Sequence, residues 1–105
     1  KIPSLSINDA PLYHYRGFML DVGRYFYPVE EVKHFLDLMA VHKLNIFHWH
    51  LTEDQGWRVE IKKHPRLTEL APNAPTRILL SPHSGFYTQE DIREVVAYAH
   101  SNTSR

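Results

Sequence analysis

The chain has 105 residues, 43% of them hydrophobic and 23% charged, which is enough for one domain and too little for two of ordinary size. Twelve basic residues balance twelve acidic ones, so no global field draws in nucleic acid or an anionic membrane surface, and neither is expected as a partner. Cysteine is absent, which removes disulfides, thiolate catalysis and Cys-ligated zinc together. No apolar run approaches the ~20 residues of a membrane helix. Eight histidines make the chain prone to gain positive charge as pH falls through ~6.5. The first residue is Lys1, not Met, which reads as a chain processed or excised from something longer.

Residues 1–12 carry two prolines, two serines and an Asn-Asp pair without a sustained period, as suits a lead-in segment or linker before a domain spanning 13–105. Between Tyr13 and Val22 the chain turns apolar around Gly17, Phe18, Met19 and Leu20, enough for one strand, which ends among Asp21, Gly23 and Arg24. Pro28 fits the first position of a helix, where its missing N–H costs nothing. Val29, Val32, Leu36, Met39 and Ala40 follow at spacings of three and four, with Glu30 and Glu31 at the amino end and His42 and Lys43 at the carboxyl end, both favourable to the helix dipole.

The stretch LNIFHWHLTEDQGWR, Leu44 to Arg58, comes next. Its first half has the β-branched and aromatic character of a buried strand, and its second half is a polar loop reaching Gly56. Strand, helix and strand in this order make a right-handed parallel βαβ unit. Beyond Arg58, the prolines 65, 72, 75 and 82 interrupt any long element. Thr88 with Asp91 three residues on resembles a capping box ahead of Ile92, Val95, Val96 and Ala99, so a second helix is expected there.

The reading is therefore an α/β chain of order βαβα. Strand centres near Met19 and His48 lie ~30 residues apart, and eight such units would complete a ~250-residue (β/α)8 barrel, so two βα units amount to a partial TIM barrel. Two parallel strands alone leave both sheet edges open, which favours association with the remainder of a larger fold or with copies of itself. Ligands bind such folds at the carboxyl ends of the strands.

Several groups at that end could carry chemistry. His48 and His50 fall on one side of their strand because side chains alternate, and with further ligands they could bind a metal; hydrogen-bonded structural histidines are the plainer reading. Glu53 and Asp54, adjacent in sequence, point apart in an extended segment and make a poor acid and base for one reaction. Arg24 and Arg58 could each present a guanidinium fork to vicinal hydroxyls or a carboxylate, or make surface ion pairs. Trp49 and Trp57 could stack on sugar faces, although Trp49, inside an apolar strand, suits a core. Arg16 lies at the opposite end and is assigned a structural role.

Two blocks resemble a known family. Tyr15 to Phe26, YRGFMLDVGRYF, is similar to the first-strand signature of the glycoside hydrolase family 20 β-N-acetylhexosaminidases, and Leu44 to Arg58 is similar to their second-strand signature. The segment Tyr87 to Ile92 extends the match, whereas 73–84 and the polar tail from His100 to Arg105 depart from it. The resemblance implies a TIM-barrel, exo-acting glycosidase that removes terminal β-linked N-acetylglucosamine or N-acetylgalactosamine with no cofactor and no metal. It also implies secretion, or a periplasmic or lysosomal location. In this family the substrate's own acetamido oxygen attacks the anomeric carbon, one of the exceptions to the two-carboxylate scheme. The Asp-Glu pair that orients the acetamide and protonates the leaving oxygen lies on a later strand, so no catalytic residue is assigned in this chain. By position, Arg24 matches the arginine that grips ring hydroxyls, and Glu53 matches a supporting acidic residue, often Asp, near the catalytic pair. Asp21, His48, His50, Asp54 and Trp57 are expected to line the same pocket.

Overall fold

The structure is a computed structural model that describes residues 3–54, 56–70 and 85–102, Leu70 by its backbone only. Strand β1 (Gly17–Asp21) leads to helix α1 (Val29–Val41) and then to strand β2 (Ile46–His50). A hairpin of two short strands follows, β3 (Thr52–Glu53) and β4 (Gly56–Trp57), and then helices α2 (Arg66–Leu70) and α3 (Gln89–Asn102). The prolines at 72, 75 and 82, and with them the stretch 73–84, lie outside the described residues. Among the described residues no helix is long and apolar enough to cross a membrane.

Strands β1 and β2 pair in parallel, with Gly17 opposite Ile46, Met19 opposite His48 and Asp21 opposite His50. Alternation divides the pair into two faces. Leu20 and Val22, with Phe47, Trp49 and Leu51, face the helices and meet Val32, Leu36, Met39, Tyr87 and Val95 in the core. Phe18 joins this side by stacking on Phe35 at 6.0 Å between ring centroids. The other face carries Gly17, Met19 and Asp21 beside Ile46, His48 and His50, so it runs from apolar at its amino end to ionisable at its carboxyl end.

Pro28 sits one residue earlier than expected. It precedes α1, and its carbonyl accepts from the N–H groups of Glu31 and Val32 at 3.0 and 3.1 Å. At the other end, Leu44 N–H bonds the Met39 carbonyl at 2.8 Å and Lys43 N–H bonds that of Ala40 at 3.0 Å, the pairing of a Schellman motif. Lys43 takes the left-handed position usually given to glycine, with φ 56°. His42 and Lys43 thus lie just past the helix rather than in its last turn. Arg16 has the structural role expected of it: its Nε donates to the Lys43 carbonyl at 2.7 Å and its backbone N–H to Asn45 Oδ1 at 3.0 Å, tying the start of β1 to the turn before β2.

The capping box at α3 is formed as read: Asp91 N–H donates to Thr88 Oγ1 at 3.1 Å and Thr88 N–H to Asp91 Oδ2 at 2.8 Å. Two elements were not anticipated. The hairpin is too short to show a period, and α2 begins just after Pro65, whose carbonyl accepts from Thr68 and Glu69 at 3.1 and 3.2 Å. A proline read as a breaker is here an initiator.

Helices α1 and α3 run side by side, joined by polar rungs. Lys33 Nζ bonds Glu94 at 2.5 Å and Glu30 at 2.9 Å, while Asp37 accepts from Tyr98 Oη at 2.9 Å and from Asn102 Nδ2 at 2.8 Å.

Arg58 departs most from expectation. It is neither a ligand fork nor half of a surface ion pair; only 4% of it is exposed. Its Nε donates to the Val22 carbonyl at 3.1 Å, Nη2 to that of Gly23 at 3.2 Å and Nη1 to that of Gly85 at 3.0 Å, with the Phe26 ring centroid 5.9 Å away. The neighbouring backbone is also shared: Tyr87 N–H bonds the Arg58 carbonyl at 2.7 Å and Glu60 N–H bonds that of Tyr87 at 2.9 Å. Tyr87 itself is buried against Trp49 and Phe26 at 4.5 and 4.9 Å, its hydroxyl donating to the Tyr27 carbonyl.

Two outcomes follow for stability. Replacing Arg58 with Met strands three carbonyls and lowers stability by about 3 kcal/mol, read from the urea unfolding midpoint. Lys43→Gly relieves a left-handed backbone and raises stability by about 1 kcal/mol in the same assay.

Candidate functional site

The carboxyl ends of β1 and β2 deliver their loops to one rim, and two glycines let those loops touch. A Cβ on Gly23 would lie 2.7 Å from that of Glu53, and one on Gly56 would strike the Gly23 carbonyl oxygen and approach Arg58 Nε to 3.0 Å. Neither glycine has a positive φ, so both are needed for space and not for an unusual turn. The Arg58 guanidinium lies beneath this contact and fastens it from below.

Asp21, the last residue of β1, organises the loop above. Its Oδ1 accepts the backbone N–H of Gly23 at 3.0 Å and of Arg24 at 3.2 Å, an Asx-type turn, while Oδ2 accepts from Arg24 Nη1. From the other strand's loop, Glu53 Oε2 lies 3.3 Å from Arg24 Nη2. The guanidinium is thus held by one carboxylate from each loop, and 48% of its side chain remains open to solvent. Glu53 Oε2 also meets His50 Nε2 at 3.0 Å. Four of the residues expected at the site, Asp21, Arg24, His50 and Glu53, therefore form one connected cluster.

The electrostatics agree with this geometry. Partial burial pushes the Asp21 carboxyl up, but hydrogen bonds and charge from Arg24, aided by His50, outweigh it and hold the carboxyl below its usual range. Glu53 is lowered by its hydrogen bond with His50 first, then by Asp54 and by the charge of Arg24. Arg24 is raised, chiefly by its hydrogen bond with Asp21. All three are ionised at neutral pH.

The remaining candidates contribute less. Asp54 is exposed and adds negative charge near Arg24. Trp57 is half-buried, and its indole N–H is spent on the Val59 carbonyl at 2.8 Å. Trp49 belongs to the core, as its setting in an apolar strand implies. His48 is exposed on the open sheet face, its ring centroid 6.2 Å from that of His50. Among the described residues no three His, Cys, Asp or Glu side chains converge as metal ligands, and His50 Nε2 is engaged by Glu53. The Asp21 turn was not read as one, although its signal, Asp-Val-Gly-Arg, was visible in the sequence. The His50 to Glu53 bond was not, because it depends on how the hairpin folds back.

The folded chain holds both Asp21 and Glu53 below their unfolded values of ~3.9 and ~4.3. The unfolded state therefore binds more protons in acid, so the stability these groups confer is full above about pH 5 and is lost as pH falls through the lower folded values. Asp21→Asn is expected to flatten the acid limb of stability against pH, measured as urea midpoints between about pH 5 and 3.

Comparison with known proteins places this rim in a family. The model for the glycosyl hydrolase family 20 catalytic domain matches residues 13–103. A β-hexosaminidase of Porphyromonas gingivalis is 55% identical over 98 residues, covering 93% of this chain and 12% of that protein. One from Vibrio furnissii is 49% identical, covering 93% and 17%. The chain thus spans less than a fifth of the length of either relative. Among solved structures, the Vibrio harveyi exo-β-N-acetylglucosaminidase in complex with N-acetylglucosamine superposes with a TM-score of 0.82 at 50% identity, over 90% of this chain and 16% of that one. The Streptomyces plicatus N-acetyl-β-hexosaminidase gives 0.79 at 40% identity, over 90% and 18%. With its two strand-end loops clasped around one arginine, and with a family match that runs over nearly its whole length, the chain belongs to glycosyl hydrolase family 20.

Proposed function

We propose that residues 13–105 form the first two βα units of a (β/α)8 catalytic barrel, preceded by a lead-in segment at 1–12, in an exo-acting β-N-acetylhexosaminidase. The whole protein would hydrolyse terminal β-linked N-acetylglucosamine or N-acetylgalactosamine. The observation that carries this reading is Arg24, gripped from both sides by ionised carboxylates yet half open at the carboxyl rim. A guanidinium so held cannot swing away, and its fork suits two adjacent ring hydroxyls of a neutral sugar. Support comes also from the Vibrio harveyi relative, whose structure was solved with N-acetylglucosamine bound. Residues 3–16 form no helix or strand, in keeping with a lead-in before β1.

In this reading the chain supplies binding and orientation. The acetamido oxygen of the substrate attacks its own anomeric carbon while an Asp-Glu pair elsewhere in the whole protein orients that group and protonates the departing oxygen; water then attacks the same carbon and frees the acetamide, so configuration is retained overall. Arg24 fixes the ring on the side away from the departing group. Asp21 and Glu53 keep the guanidinium compensated and aimed, so the sugar meets a preset site.

The test is hydrolysis of an aryl N-acetyl-β-glucosaminide. The whole protein should turn it over, and the 105-residue chain alone should not exceed a buffer blank. Turnover by the isolated chain, or none by the whole protein, contradicts the proposal. In the whole protein Arg24→Lys, which keeps the charge and loses the fork, should lower kcat/KM about a hundredfold, mostly through KM.

A further inference from the structure

Within the cluster around Arg24, His50 has from the sequence only the expected part of a pocket-lining residue. His50 does not touch Arg24, but both converge on a single atom: Glu53 Oε2 accepts from His50 Nε2 at 3.0 Å and lies 3.3 Å from Arg24 Nη2. The two attachments differ in stiffness. His50 ends β2 opposite Asp21, its carbonyl accepts the Val22 N–H at 3.1 Å, and its ring has only two side-chain torsions. Glu53 has three, the last of them broad. Its Cβ is pressed against Gly23, which fixes the root of the side chain and leaves the carboxylate to be steered by whatever bonds it.

We propose that His50 is a positioning residue for sugar binding: its Nε2–H holds the Glu53 carboxylate where that group can grip Arg24, and so sets the direction of the guanidinium. The inference rests on the reading of Arg24 as the group that grips the sugar. An ionised carboxylate only accepts hydrogen bonds, so the imidazole must carry its proton on Nε2. The shared oxygen then makes a chain from a rigid strand end, through a flexible acid, to the fork. The side chains of His50 and Glu53 are 31% and 20% exposed, so water can satisfy both groups when the bond is lost. Removing His50 should therefore cost aim more than stability.

Glutamine and leucine variants separate aim from packing. His50→Gln places an amide N–H near the position of Nε2, whereas His50→Leu keeps apolar bulk and offers no donor. In the whole protein, H50L should raise KM for an aryl N-acetyl-β-glucosaminide about tenfold, with a smaller change in kcat and an unfolding midpoint near that of the unaltered protein. H50Q should recover most of the loss. A crystal structure of H50L should show the Arg24 guanidinium out of hydrogen-bond reach of Glu53, and one of H50Q should show it in place. Equal KM values for the two variants, or an unmoved Arg24 in H50L, would overturn the proposal. If the unaltered protein shows no turnover, the glycosidase reading fails, and the two crystal structures decide the positioning role alone.

Discussion

The structure depends on one buried cation. Arg58 leaves the hairpin and places its guanidinium among the carbonyls of Val22, Gly23 and Gly85. Those carbonyls belong to two segments far apart in sequence, one just after β1 and one just before α3. Burial disfavours the charge and lowers the pKa of Arg58, but an arginine remains protonated under any ordinary condition, so the surrounding dipoles must compensate it. No carboxylate pairs with it among the described residues, which leaves the backbone of those segments to do so. The cation therefore enforces their convergence. Tyr87 reinforces it with a hydroxyl bonded to the Tyr27 carbonyl and a ring wedged between Trp49 and Phe26.

Above that anchor the functional rim follows as a consequence. Because Arg58 draws Gly23 toward the hairpin, Asp21 and Glu53 come to lie on either side of Arg24. Two arginines that look equivalent in sequence take opposite parts: one is consumed in holding the loops, and the other is held by them. The division follows from what each can reach. Arg58 sits on a hairpin directed into the protein, whereas Arg24 lies three residues beyond the end of β1, where the Asp21 turn sends the chain outward.

Much of this was legible in the residues. Spacings of three and four set α1, Thr88 and Asp91 announced α3, and alternation through His48 and His50 assigned the faces of β2 correctly. What escaped was whatever depends on two segments meeting. The role of Arg58 could not be read, because its acceptors are main-chain oxygens that carry no sequence signal. The short hairpin and α2 are too brief for periodicity, and Pro65 was ambiguous between ending one element and starting another. Gly56 was visible as a turn former, but what it and Gly23 require is clearance between the two loops: a side chain at 56 would meet the Gly23 carbonyl, and one at 23 would meet Glu53.

The rungs between α1 and α3 carry a further consequence. Lys33 and Asp37 stand one turn apart on α1, and Glu94, Tyr98 and Asn102 recur every four residues on α3. Sliding α3 by one turn, about 5.4 Å, would either set Glu94 against Asp37, two negative charges, or leave Lys33 facing a phenol in place of its carboxylate. The helix pair is thus keyed to a single longitudinal alignment. Since Tyr87 and Gly85 directly precede α3, that key also bears on how deep they reach, and a fault between the two helices would be felt under the loops at the carboxyl ends of the strands.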